Sequence, residues 1–437
     1  MTVSDSLLRQ CTGLLLGLAL LLLSPAVQAQ KVLDPYWIKR TVLSSDGRYM
    51  AFDFSQISPD ERRRAPYAIA VYDMAAETIE LHVAPPPREF HSASFSPDDR
   101  YLAVIQVCWS VDCSPDEIGR NVGAIDRKTR AFQLLTSGQH QVYDMNHRGY
   151  REPKPMRVMR GFPVFDPFSE RIYFTSRLQP FSFNPENTKS GFSMSTVHGR
   201  DGSSIGYIEI TESGREEKHL RLATGMYNTV IDGRSTFAYL SVTKKGIVVY
   251  ARLPTDLPYH EKGVWGGIIN SDNGEFSPLF PDPPYFNGPS LSQSNFRTDS
   301  LRAARDGKVF VFSHAYQSVN GLAFDPALIR YRSMLVAKDG NVVDQIRPPT
   351  GVGPGEVAIS GDGRKAIMTV FNDSRIFWSV DLETRVITEK PLRAPLEAAI
   401  ARTRLRDVMP PPPAWQKPVN GRSKPPRPAG PAPSEMP

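Results

Sequence analysis

Six times along the chain a polar turn runs into a strand of β-branched and aromatic residues. That repetition constrains the fold more than any other feature. The copies are LSSDGRYMAFDFS (Leu43 to Ser55), SFSPDDRYLAVIQV (Ser94 to Val107), VFDPFSERIYFTS (Val164 to Ser176), LSVTKKGIVVYAR (Leu240 to Arg252), AARDGKVFVFSH (Ala303 to His314) and AISGDGRKAIMTVFN (Ala358 to Asn372). Their turns recur roughly every fifty to seventy-five residues, at Gly47, Asp99, Glu170, Lys245, Gly307 and Gly363. In these turns Pro pre-sets φ, Asp bonds its own backbone and Gly accepts φ > 0. The strands that follow, such as YLAVIQV and KVFVFSH, are apolar on both faces. A half-exposed strand would alternate, so both faces must be covered.

A second, weaker unit of strand, polar turn and strand follows most of these copies. The clear cases are AVYDMAAETIELH, GAIDRKTRAFQLL, YIEITESGREEKHL and WSVDLETRVITEK, and IINSDNGEFSPL and LVAKDGNVVDQI fill the two remaining places. Each pair of units makes one four-stranded antiparallel blade. Six blades set radially give an all-β, six-bladed β-propeller, an arrangement that leaves only short, protected edges.

The flanks differ. Residues 14–29 are apolar and end in small residues, with Val27 and Ala29 placed for signal-peptidase cleavage. The core from Leu14 to Leu23 is too short to span about 30 Å of hydrocarbon. A signal peptide over 1–29 is therefore expected, with the propeller over 30–393. The segment 394–409 reads as a short amphipathic helix, with Leu396, Ile400 and Leu405 near one face. Residues 410–437 are rich in Pro and in Lys and Arg. They hold too little apolar surface to fold and are expected to be a disordered tail. The net charge of +6 is explained by a solvated surface, and such charge bears on association rather than fold.

The turn-plus-strand unit resembles the WD-like repeats of the TolB family of periplasmic β-propellers, read as S-P-D-G followed by an apolar alternation. SFSPDDRYLAVIQV is the best copy, LSSDGRYMAFDFS and ISGDGRKAIMTVF are good ones, and the resemblance covers most of 31–390. It implies a propeller used for protein contacts in the cell envelope. TolB itself carries an α/β domain before its propeller, and here the repeats start soon after the apolar segment.

Catalytic signatures are sparse. GFSMS (Gly191 to Ser195) lacks the closing Gly of a nucleophile elbow. The eight histidines form neither H-x-H nor H-E-x-x-H, so no metal site and no cofactor is expected from sequence. Two cysteines remain after the signal peptide, Cys108 and Cys113. Their spacing is not C-x-x-C, and in an exported protein they read as a disulfide staple on the link CWSVDC. Trp109, on that loop, is a candidate contact residue.

A basic stretch, His147 to Gly161, gathers Arg148, Arg151, Lys154, Arg157 and Arg160 as candidates for an acidic partner or an anionic envelope component. The long polar segment Phe181 to Ser204 adds His198, and the tail adds Trp415. Nucleic-acid binding is disfavoured by export and by the lack of a basic motif with interleaved aromatics. The sequence thus points to a monomeric, non-enzymatic, exported β-propeller that binds protein or scaffolds in the bacterial envelope. It is expected in the periplasm, with secretion as the alternative, and without a transmembrane segment in the mature chain. Two alternatives stay open: a metal-dependent propeller hydrolase or lactonase with a channel site, and a propeller that binds a small ligand.

Overall fold

The computed structural model describes residues 36–56, 67–110, 112–138, 141–144, 154–180, 203–211, 214–220, 237–251, 266–279, 295–317, 333–339, 341–349, 354–370 and 373–403. The expected signal peptide and tail lie outside them.

Six antiparallel sheets follow one another along the chain. Blade 1 holds β1 (Tyr36–Leu43), β2 (Tyr49–Gln56), β3 (Ala68–Asp73) and β4 (Thr78–His82). Blade 2 holds β5 (Glu89–Phe95), β6 (Tyr101–Cys108), β7 (Gly119–Asp126) and β8 (Phe132–Leu134). Blade 3 begins with an extra strand, β9 (Gln141–Asp144), and continues with β10 (Lys154–Phe165), β11 (Arg171–Pro180), β12 (Ser203–Thr211) and β13 (Gly214–His219). Blade 4 is β14 (Phe237–Thr243), β15 (Gly246–Ala251), β16 (Gly266–Ile269) and β17 (Phe276–Pro278). Blade 5 is β18 (Asn295–Ala303), β19 (Val309–Gln317), β20 (Ser333–Lys338) and β21 (Asn341–Ile346). Blade 6 is β22 (Pro354–Ile359), β23 (Lys365–Val370), β24 (Asp373–Asp381) and β25 (Ile387–Pro391).

The leading strands β1, β5, β10, β14, β18 and β22 contact one another in that order, and β22 returns to β1. The ring is therefore closed around an axis that these strands line. The expected four strands per blade hold everywhere, with β9 added beside the first half of β10.

Double-sided apolarity has its explanation in the cores. In β6, Leu102 and Val104 pack toward Ala51, Ile69 and Val71 of blade 1. The intervening Ala103, Ile105 and Val107 pack toward Ile172 and Phe174 of blade 3. One strand thus feeds two interfaces, and six such cores hold the six blades. Each fully buried Leu, Ile or Phe contributes about 1.5–3 kcal/mol to that packing.

The turns between the first and second strands gather at one end. Their S-x-D pattern builds a side-chain turn. Ser44 Oγ donates to Asp46 Oδ1 (2.9 Å) and accepts from Tyr49 N–H (2.9 Å). Ser96 with Asp98 and Ser360 with Asp362 repeat it. Neighbouring turns are then bonded to one another. Lys244 N–H donates to Arg305 O, Arg305 N–H to Gly361 O, and Asp362 N–H to Ser45 O, each at 2.9 Å. Ser45 N–H reaches Asp99 Oδ1 (3.3 Å). The Arg305 guanidinium lies over Gly361 and donates to Ser45 Oγ. Blades 4, 5, 6, 1 and 2 are tied across this end.

Blades 1 and 6 each use a contiguous stretch of chain, so no shared strand locks the ring. The joint is held by one core, in which Phe52, Tyr72 and Phe377 meet Leu392 and Leu396. The Tyr72 and Phe377 rings meet edge-on at 5.1 Å. Helix α1 (Arg393–Arg402) buries Leu396, Ala399 and Ile400 there. Arg402 donates to Ile79 O (3.1 Å). The expected apolar helix face thus spans the ring closure; Leu405 lies outside the described residues.

Candidate functional site

Every inner strand carries a β-bulge at the same place. In β1, Arg40 and Thr41 stand opposite the single Phe52. The equivalent pairs are Ser92 and Ala93, Phe162 and Pro163, and residues 239–240, 299–300 and 355–356. A bulge re-aims side chains, and bulges gather next to functional sites. In three blades the first bulge residue sits at positive φ without being glycine: Arg40 (56°), Ser92 (54°) and Phe162 (47°). Such residues cost of order 1–3 kcal/mol and persist where surrounding structure holds them.

Between this ring of bulges and the bonded turns lies an axial cavity of about 110 Å³. Every blade contributes to its wall: Arg40 and Val42, Ser92 and Ser94, Phe162 and Val164, Leu240 and Val242, Arg302 and Arg305, Ala358 and Ile359. The buried hydroxyls of Ser92 and Ser94 have no hydrogen-bond partner among the described residues.

Charged side chains cluster at the bulge ring. Asp53 interrupts the apolar row of β2 and is fully buried. It accepts from Arg40 Nη1 (2.8 Å) and from Ser92 N–H (2.7 Å). Those two bonds pin the positive-φ residues of blades 1 and 2. Burial pushes the Asp53 carboxyl up, against the opposing pull of Arg40 and His91. His91 Nδ1 lies 3.3 Å from Arg40 Nη1, which can only donate, so Nδ1 is the acceptor. Nε2 then carries the proton and donates to Glu89 Oε2 (2.9 Å). Burial also pushes the His91 imidazole down, opposed by Glu89 and Asp53. On the other side of blade 1, Glu356 accepts from Thr41 N–H (2.7 Å) and Thr41 Oγ1 (2.9 Å). Arg302 donates to Thr41 O (3.2 Å).

Arg120, at the start of β7, completes the cluster differently. Its Nε donates to Arg160 O (3.0 Å), the only side-chain hydrogen bond it makes among the described residues. Its Nη2 sits beside Gly161, which precedes the cavity-lining Phe162. Loss of water lowers the guanidinium to about 10, and repulsion from Arg40 adds to that. Among the described residues no carboxylate pairs with it, although Asp53 and Glu89 lie near enough to be felt.

Both nitrogens of His91 are engaged in this network, so the ring offers no free lone pair to a nucleophile or to a metal. Among the described residues no three of His, Cys, Asp and Glu are arranged to hold a metal ion. The cluster sets charged and polar groups at this end of the cavity.

The residues singled out from sequence fall elsewhere. Arg160 does not join a basic surface. It is buried, forks onto Glu217 (2.9 and 2.6 Å) and bonds Asn121 Oδ1 (2.9 Å), tying blade 3 to blade 2. Lys154 and Arg157 belong to β10, with side chains outside the described set; Arg148, Arg151, His198 and Trp415 also lie outside the described residues. Trp109 is half-buried against the core between blades 2 and 3. Cys108 and Cys113 are disulfide-bonded, with Cα atoms 6.4 Å apart. Their loop is further held by Glu117, which accepts from Ser114 N–H and from the Arg88 fork (2.6 and 2.8 Å). Arg88 is the main cause that holds the Glu117 carboxyl down at about 2.

The fold and the axial cavity define a six-bladed β-propeller with a polar, bulge-lined channel site. No protein-family model matches the chain, and no curated protein matches it. Among solved structures it is similar to an oligogalacturonate lyase in complex with manganese, at 10% identity, 82% of this chain, 77% of that chain and a TM-score of 0.44. It is also similar to an oligogalacturonate lyase from Vibrio parahaemolyticus, at 9% identity, 82% and 78% coverage and a TM-score of 0.40. A third likeness is to the β-propeller domain of Cps50 (Swd1) from Myceliophteria thermophila, at 11% identity, 80% and 84% coverage and a TM-score of 0.38. Likenesses of this size carry no function across.

Proposed function

We propose that this protein is a non-enzymatic, exported binding propeller whose ligand is a small molecule taken into the axial cavity from the bulge end. The observation that carries this reading is the cavity, walled by all six blades, with charged side chains at one end and bonded turns at the other. The committed nitrogens of His91 favour binding over catalysis. The TolB-type repeat and the apolar N-terminal segment support a setting in the bacterial envelope, where the propeller's rim remains available to a protein partner.

The test is a thermal-shift screen of small metabolites against the wild type and Ala93→Leu, which fills the cavity. That substitution is expected to cost about 1–3 kcal/mol through overpacking, so its fold is checked first by circular dichroism. Ligands that stabilise the wild type should fail to stabilise the filled variant. Hits that act equally on both would contradict a channel ligand. A protein partner captured equally by both would favour the rim instead.

A further inference from the structure

We propose that His91 is an acid-sensitive latch on the cavity wall: a proton on its Nδ1 takes over the Asp53 oxygen that Arg40 uses, and Arg40 is released into the cavity. This concerns the wall and not the ligand, and it holds whether or not a ligand is found.

One shared oxygen sets the geometry. Arg40 Nη1 donates to Asp53 Oδ2 (2.8 Å) and also faces His91 Nδ1 at 3.3 Å. The second contact exists only while Nδ1 keeps its lone pair. His91 Nδ1 in turn lies 3.8 Å from the same Asp53 Oδ2. Once protonated, Nδ1 changes from acceptor to donor. Two N–H donors then meet at 3.3 Å, and both are directed to one carboxylate oxygen. The other oxygen, Oδ1, already accepts from the Ser92 N–H (2.7 Å).

Charge decides which donor gives way. Among the described residues, His91 is faced by Arg40 from β1, Asp53 from β2, the Tyr67 ring ahead of β3 (4.5 Å between ring centres) and Glu89 from its own strand. Arg120 from β7 feels Arg40, Asp53 and Glu89. The paired strand β6 carries no charged residue, and Arg160 of β10 is turned away onto Glu217. Two guanidinium groups are thus balanced by two carboxylates while His91 is neutral. A proton on His91 adds a third cation in a shielded place, where like charges repel strongly. Glu89 holds the imidazole through Nε2 (2.9 Å), and His91 and Asp53 are both buried. Arg40 has room to move, because its side chain is a quarter exposed and lines the cavity. Its guanidinium carbon already lies 5.5 Å from the centre of the cavity-lining Phe162 ring. Burial sets the step below the ordinary histidine range.

The test is a nitrogen-15 NMR titration of the full-length protein labelled on histidine and arginine. The two signals are identified by their loss in His91→Gln and in Arg40→Lys. At pH 7.5 His91 should carry a proton on Nε2 only. Nδ1 should take its proton in a step below about pH 6.5, and the Arg40 Nε–H signal should shift in the same step. In His91→Gln the Arg40 signal should hold still over that range. A proton on Nδ1 at pH 7.5, or a His91 that stays neutral until the protein unfolds, would overturn the proposal. So would a His91 step that leaves Arg40 unmoved. An Arg40 step that persists in His91→Gln would assign the change to the Asp53 carboxyl, with the same consequence. A chemical readout needs no Arg40 variant. Ser94→Cys, with Cys11 replaced by Ser, puts one free thiol on the cavity wall. The ratio of its rates with an anionic and a cationic reagent of fixed charge cancels the thiolate fraction. That ratio should rise at least about threefold from pH 7.5 to 5.5 and stay level once His91→Gln is added. A ratio level in both proteins would contradict the latch, whatever the cavity binds.

Discussion

The two ends of the channel handle the same backbone problem in opposite ways. At the turn end, positive φ falls mostly on glycine: Gly47 (70°), Gly307 (68°) and Gly363 (75°). The turns there are bonded to one another, and their polar groups are largely spent on backbone. At the bulge ring, positive φ falls on Arg40, Ser92 and Phe162, which carry side chains into the channel. Glycine would be easier at those positions, and a side chain is kept nonetheless. The turn end is built for closure, whereas the bulge ring retains strain in exchange for placed chemical groups. That contrast locates the site at the ring.

The contrast can be broken first at Asp53. Asp53→Ala would remove the buried carboxylate that Arg40 and the Ser92 N–H share. Removing one partner of a buried pair costs about 3–5 kcal/mol, which urea denaturation would register as a large fall in midpoint. A loss below about 1 kcal/mol would mean that the carboxylate does not hold the ring.

The disulfide, on the link after β6, sets a reference scale. Cys113→Ser opens a small ring and should cost about 2 kcal/mol by loop entropy. Thermal unfolding with and without reductant checks this.

The two ends should next respond with opposite signs to one kind of change. Gly47→Ala puts a Cβ at positive φ, 2.9 Å from Lys365 Cδ, and should destabilise by about 1–2 kcal/mol. Ser92→Gly relieves that conformation, removes an orphaned hydroxyl and should stabilise by up to about 1 kcal/mol. It should also weaken any ligand that uses the hydroxyl. Matched urea titrations decide both; destabilisation by Ser92→Gly would show that the ring is not strained.

The smallest effect expected is on pH dependence. Burial holds His91 below its ordinary value, so the unfolded chain takes up this proton first as the pH falls. Its contribution to stability is therefore lost on acidification below about 6.5, down to its folded value. Asp53 has the opposite sign. Its raised value makes the folded state take up the proton first, which favours the fold between that value and about 3.9. His91→Gln should flatten the decline that sets in below about pH 6.5. An unchanged slope would assign the decline to another group.

The architecture was open to reading because each blade repeats two short-range signals. S-x-D turns and doubly apolar strands are local, and each copy reports itself without its neighbours. The site was not local in this sense. Arg40, Asp53, His91 and Arg120 come from β1, β2, β5 and β7, and only the packing of blade 1 against blade 2 brings them together. One signal did exist: Asp53 is a carboxylate inside the apolar run AFDF, and a buried charge needs a partner. The bulges left no trace in composition, because most of their first residues are not glycine. Arg160 misled for a related reason. It sits among other basic residues in sequence, yet strand alternation turns it inward, onto Glu217.

Access to the cavity tests the account most directly. With Cys11 replaced by Ser and Cys108–Cys113 intact, Ser94→Cys places a single thiol on the cavity wall. Its rate of reaction with small thiol reagents of either charge can be followed by mass spectrometry. An anionic reagent should react at least about tenfold faster than a cationic one, through local field. That advantage should be lost in Arg40→Gln, at the bulge ring, and only reduced in Arg305→Ala, which also loosens the turn end. A rate indifferent to Arg40 but raised by Arg305→Ala would contradict the account, because the cavity would then be reached through the turns.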